Sequence, residues 1–145
     1  MKVYAFIHPD LKTLCCVVLP ETVPPNVEYV EFEVESPDDI IYDGTQIRLK
    51  TETEKLAEEK QKKLAELKNY VASLFRPTDY VVIRIAEAQA LGDRKTAKQL
   101  RQKYAKQLQQ RQAIRRWNEQ MKQAIRNAKT LEELKNIFID FQKEV

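Results

Sequence analysis

Residues 94–128 read RKTAKQLRQKYAKQLQQRQAIRRWNEQMKQAIRNA, a run without glycine or proline. Apolar side chains recur at Ala97, Leu100, Tyr104, Leu108, Ile114, Trp117, Met121, Ile125 and Ala128, the three-and-four spacing of one helix face. The spacing predicts one long helix. Gln107, Arg111 and Asn118 interrupt its stripe, as polar residues that set register do in assembled bundles. A helix of this length spans about 50 Å, whereas a compact chain of this size is about 40 Å across. Its stripe therefore needs cover from other helices, from other subunits, or from both.

The flanks are also helical. Lys129-Thr130 breaks the pattern, and Thr130 with Glu133 predicts a capping box for a last helix from Leu131 to Gln142, with Leu134, Ile137, Phe138 and Phe141 on one face. Upstream, Gly92 is a helix stop. The segment before it is mixed: Tyr80-Val81-Val82-Ile83 favours strand locally, while Ile85, Ala86, Ala88 and Leu91 continue at helical spacing. It reads as a helix capped by Thr78 or Asp79. Arg76-Pro77 ends another amphipathic helix, from about residue 52 to 75, with Ala57, Lys60, Leu64, Leu67, Val71 and Leu74 along its face.

Before Thr51 the period is two. Val3, Ala5 and Ile7 alternate with Lys2, Tyr4 and Phe6, and His8-Pro9-Asp10 marks a turn. Thr13–Leu19 is a second, apolar strand, followed by a loop punctuated by Pro20, Pro24 and Pro25. In Glu28–Glu35, Val30, Phe32 and Val34 are expected on a dry face, and Glu31, Glu33 and Glu35 on a wet one. Asp43-Gly44 predicts a hairpin between Ile40-Ile41-Tyr42 and the strand carrying Ile47 and Leu49. Arg48 and Lys50 are placed to pair with the glutamate row if those strands are neighbours. The predicted fold is α+β: a small N-terminal antiparallel β domain, residues 1–50, followed by long helices over residues 51–145 forming a helical hairpin or coiled-coil bundle.

Charge is unevenly spread. The net charge is +3, yet residues 1–50 hold four basic and nine acidic side chains, while residues 94–129 hold twelve basic ones against a single acid, Glu119. Lys and Arg in such a segment release counterions from phosphates and suit nucleic acid; they suit an acidic protein surface equally. The candidate contacts are Arg101, Lys106, Arg111, Arg115, Arg116, Lys122 and Arg126. The candidate oligomer interface is the stripe Leu64, Leu67, Val71, Leu74, Leu100, Tyr104, Leu108, Ile114, Trp117, Met121 and Ile125. Trp117 on that stripe reads as packing more than as base stacking.

Nothing in the sequence points to catalysis. Gly44 and Gly92 are the only glycines, so no glycine-rich phosphate loop exists, and His8 is the only histidine. The glutamate rows at 31, 33 and 35 and at 52, 54, 58 and 59 are solvated faces by periodicity. No catalytic residue, metal ligand or cofactor is expected. Adjacent Cys15 and Cys16 point to opposite faces of a strand and read as small apolar residues in a reducing compartment. No apolar run is long enough to span a membrane, and the N-terminus lacks the pattern of a signal peptide.

The stretch Pro77-Thr78-Asp79-Tyr80-Val81-Val82-Ile83-Arg84-Ile85-Ala86-Glu87-Ala88-Gln89-Ala90-Leu91-Gly92-Asp93 resembles a segment near the C-terminus of small bacteriophage tail and tail-fibre-associated proteins. There a Thr-Asp-Tyr-hydrophobic stretch leads through an acidic helix to Gly-Asp and then to a helix with a Tyr and spaced Arg or Glu. Tyr104, Arg111, Ala113, Arg115 and Trp117-Asn118-Glu119 are similar to that continuation, and Met1–Ile7 to the opening strand. The resemblance covers about half the chain and brings no catalytic residues. The very basic segment 94–129 departs from the usual mix of Glu and Lys. The resemblance implies a structural virion component, made in the host cytoplasm, that assembles with other virion proteins and with itself, a trimer being favoured by the three-fold symmetry common among phage fibres. The alternative is a nucleic-acid-binding protein using residues 94–129, and a third reading is a coiled-coil adaptor with no viral link.

Overall fold

The structure, a computed structural model, describes residues 1–141. It is α+β, with small antiparallel sheets first and packed helices after them. Packing divides the chain into Met1–Lys55 and a second unit that begins at Leu56.

In the first unit, β1 (Lys2–Ile7) is the central strand of a three-stranded antiparallel sheet, with β2 (Leu14–Val17) on one side and β3 (Val30–Glu33) on the other. β4 (Ile40–Tyr42) and β5 (Ile47–Leu49) form a separate hairpin rather than extending that sheet. Register places Val3 opposite Phe32 and Ala5 opposite both Val30 and Cys16, so these side chains share a face. Val3, Ala5, Val34 and Ile40 are buried there, and Leu14, Cys16, Phe32 and Ile47 pack against them. Glu31, Glu33 and Glu35 are exposed, as alternation predicts.

Two side chains depart from it. Val30 is 43% exposed: it opens the strand, beyond the cover of Val34 and Ile40, and borders an open groove of about 580 Å³ with Ile7, Val27, Tyr29, Tyr42 and Ile47. Phe6, expected on the wet face, is only 4% exposed, so that face of β1 is also partly covered.

The β4–β5 turn is built on Asp43. One carboxylate oxygen accepts from the amides of Thr45 and Gln46, both at 2.9 Å, while Gly44 takes φ +90°. Arg48 does not meet the glutamate row, because β5 pairs with β4 alone. Its guanidinium donates instead to Asp43 at 2.9 Å and to both oxygens of Glu54 at 2.7 and 3.2 Å. Glu54 also accepts from the Thr51 amide, and Thr51 Oγ1 accepts from the Glu54 amide, closing a capping box at the start of α1 (Glu52–Phe75). Lys55 lies 3.9 Å from Asp39, so the first turn of α1 belongs with the head.

In the second unit, α1 is followed by the short turn Arg76–Thr78, α2 (Asp79–Ala90), α3 (Arg94–Lys103), α4 (Ala105–Asn127) and α5 (Leu131–Lys135). α1 and α4 are antiparallel. Lys60 Nζ reaches the Arg126 carbonyl at 2.8 Å at one end, and Arg111 reaches the Phe75 carbonyl at 3.1 Å at the other. Between them lie Leu67, Val71, Ile114 and Ile125, with Ala128 and Leu134 completing the core. α2 and α3 form a hairpin. Gly92 takes φ +72°, the Asp93 amide donates to the Ala88 carbonyl, and the Asp93 carboxylate caps α3 through Thr96.

Two helical expectations need correction. The run 94–128 is interrupted at Tyr104, whose φ −105° and ψ 24° leave the helical region. Tyr104 is buried against Val81 and Ile85 of α2, whereas Ile114 and Ile125 face α1. The interruption lets one basic segment serve both seams, and α4 alone is then about 35 Å long, so the length argument for cover by other subunits no longer holds. The last helix ends at Lys135 instead of Gln142, a position outside the described residues. Beyond it Ile137, Ile139 and Phe141 are partly buried and Phe138 is 78% exposed. That is the period-two pattern of extended chain, suited to β-branched Ile137 and Ile139.

The amides of Gln46 and Thr45, with Arg48, hold Asp43 below its ordinary pKa of 3.8, and Arg48 with the Thr51 amide holds Glu54 below 4.5, each at about 2. A depressed carboxyl pKa gives stability that is present above the unfolded value and lost as the pH falls through the folded one. The head should therefore lose stability between about pH 4.5 and pH 2. Urea midpoints followed across that range should fall steeply in the native chain and less steeply in Arg48→Met; equal slopes would contradict the assignment.

Candidate assembly surface

The second unit turns on the Arg76–Thr78 corner. α1 ends there, and α2 starts one turn later with Asp79 in its first turn. Both ends are negative, one through the helix dipole and one through a carboxylate. Arg111, projecting from α4, is 7% exposed and reaches both. Its Nη1 lies 3.1 Å from the Phe75 carbonyl, 2.9 Å from Thr78 Oγ1 and 3.0 Å from Asp79 Oδ1. The guanidinium also lies 4.5 Å from the centre of the Phe75 ring. Its Nε has no protein partner. Thr78 precedes α2 but does not cap it through its side chain; its hydroxyl donates to the Phe75 carbonyl and accepts from Arg111.

This overturns one sequence expectation. Arg111 is not available to nucleic acid or to an acidic partner, because it is enclosed by its own chain. The other basic candidates lie outside. Arg101, Lys106, Arg115, Arg116 and Arg126 are exposed, and Lys122 is half-buried and paired with Glu119 at 3.3 Å.

The apolar stripe finds partners within the chain. Leu67, Val71, Ile114 and Ile125 are core residues, with Leu64, Leu74, Trp117 and Met121 packed against them. Trp117 is edge-on to Tyr70 and to Phe141, at 5.7 and 5.5 Å between ring centres. Tyr104 packs with Val81 and Ile85, with Leu100 and Leu108 beside them.

A different apolar surface remains outside. α2 buries Val81, Ile85 and Ala88, an i, i+4, i+7 row facing α3 and Tyr104. Four consecutive apolar residues, Tyr80 to Ile83, exceed what one face can hold. Ile83 is 56% exposed and Val82 is also exposed, as are Ala86 and Ala90 on the same side, while the partly exposed Tyr80 packs its ring edge-on to Tyr104 at 5.7 Å. Leu91, at the end of the helix, is 84% exposed. Sequence reading missed this face because Ile85, Ala86, Ala88 and Leu91 were taken together as continuing at helical spacing; the unbroken apolar run was the signal for a second face.

Among the described residues no cluster of His, Cys, Asp and Glu is placed to hold a metal ion, and no helix is long and apolar enough to cross a membrane. Comparison with family models, with curated proteins and with solved structures finds no match.

Arg111→Ala would leave the Phe75 carbonyl to the Thr78 hydroxyl alone and Asp79, half exposed, without its cation, at a cost of about 1–3 kcal/mol. Arg116→Ala, exposed one turn further on, should stay within about 0.5 kcal/mol. Urea unfolding of both variants checks this, and similar losses in the two would show that Arg111 holds nothing together.

Proposed function

We propose that this chain is a structural component of a bacteriophage virion, tail- or fibre-associated, acting through protein–protein contacts and assembling with copies of itself. The observation that carries the reading is the exposed apolar face of α2 formed by Val82, Ile83, Ala86 and Ala90, with Leu91 exposed just past its end. A helix that is apolar on both sides is stable in water only where something covers the second side. The same residues lie in the stretch that resembles small phage tail proteins, so the resemblance and the uncovered face coincide. A second copy of the chain covers this face. α2 is short and bears Arg84 and Glu87 beside the apolar row, so two antiparallel copies would bring opposite charges together across a two-fold contact. Three-fold assembly rests on the resemblance to phage fibres alone.

Light scattering coupled to size exclusion at moderate salt tests the reading. The expected mass is a multiple of the 17.1 kDa chain, falling to a single chain in the Ile83→Lys, Leu91→Glu variant. A single-chain mass at every concentration would remove self-association, and an unchanged multimer in the variant would remove α2 from the contact.

A further inference from the structure

The basic segment separates into two kinds of cation. In α4, Arg111 at the corner, Lys122 with Glu119, and Arg115 at 5.7 Å from the Phe75 ring are already engaged, while the exposed Lys106, Arg116 and Arg126 stand ten residues apart and form no ridge. Those of α3 are different. Arg94, Lys98 and Arg101 stand at i, i+4 and i+7 and form one ridge, with Lys95 and Gln102 alongside. All five are exposed. None of the four cations has a carboxylate within ion-pair distance among the described residues. Successive ridge positions are about 6 and 4.5 Å apart along the axis.

The arrangement is unfavourable for the helix by itself. Like charges three and four residues apart repel. Arg94 and Lys95 occupy the first turn, where the helix dipole disfavours cations, and the one carboxylate beside them, the N-cap Asp93, is already bonded to Thr96. A bound polyanion reverses both penalties.

We infer that the α3 ridge Arg94, Lys95, Lys98 and Arg101 binds the phosphodiester backbone of nucleic acid, without base specificity. Composition separates this from an acidic protein partner. The exposed side chains of α3 are Arg94, Lys95, Lys98, Gln99, Arg101, Gln102 and Lys103. They offer N–H donors and no exposed apolar or aromatic anchor. Protein interfaces are depleted in Lys and carry an apolar core, whereas phosphate contacts need only cations and donors. This ridge goes beyond the assembly reading and shares no residue with the exposed α2 face.

Fluorescence anisotropy of a labelled mixed-sequence DNA duplex with the full chain, across a salt series, tests it. Binding should weaken with salt on a log–log line, and Arg94→Gln, Lys95→Gln, Lys98→Gln, Arg101→Gln together should flatten its slope by about 3–4, at about 0.9 per phosphate contact. Lys98→Gln and Arg101→Gln singly should each flatten it by about 1. The substitutions are on the surface, and an unchanged thermal midpoint confirms the fold. A matched variant, Arg115→Gln, Arg116→Gln, Arg126→Gln, should leave the slope in place. Absence of binding at low salt overturns the inference. Equal flattening in the two multiple variants overturns it in favour of diffuse charge. Stronger competition by polyglutamate than by unlabelled DNA at equal charge overturns it in favour of an acidic protein.

Discussion

The Arg111 guanidinium lies where two negative ends meet: the last carbonyls of α1 and the first carboxylate of α2. The chain must turn at Arg76-Pro77, because proline removes a backbone donor and disfavours helix before it. A turn leaves carbonyls without helical partners, and here the Phe75 carbonyl accepts from the Thr78 hydroxyl and from Arg111 of α4. Only a cation long enough to cross from α4 reaches that carbonyl and Asp79 together, and the flat guanidinium also stacks over Phe75. Once that contact forms, the direction of α2 is set. Val81 and Ile85 then face Tyr104, and the chain interrupts its helix there to bury Tyr104 on α2 and Ile114 on α1.

Two surfaces follow from that corner. One side of α2 is used by α3 and Tyr104, which leaves Val82, Ile83 and Leu91 outside. α3 gives its Ala97 and Leu100 side to α2 and turns its cations outward. An apolar face suits a copy of the chain, and an unpaired basic ridge suits phosphate. They lie on different helices, so assembly and nucleic-acid contact are separable by mutation.

Period was legible in the sequence; what each face touches was not. The α+β class, the Asp43-Gly44 hairpin, the Gly92 stop and the Thr130–Glu133 cap each depend on local chemistry and were readable from neighbouring residues. Long-range partners were not. Arg111 looked like a solvated cation because nothing near it in sequence shows that Phe75 and Asp79 will surround it. The Ile137, Phe138, Phe141 pattern fits a helix as well as an extended strand, and Tyr70, whose hydroxyl accepts from the Phe141 amide at 3.0 Å, decides for the latter. Arg48 could be paired with the glutamate row only on condition that their strands were neighbours, and strand order, which is not written in alternation, places them in separate sheets.

The central claim is that Arg111 fixes the α2–α3 hairpin on the α1–α4 pair. Native-state hydrogen exchange on the Arg111→Gln variant tests it most directly. The account predicts that amides in α2 and α3, Ile85 and Leu100 among them, lose at least about tenfold in protection through a local opening, while Leu67 and Val71 in α1 lose less. Equal loss in all the helices, or none in α2 and α3, would contradict it.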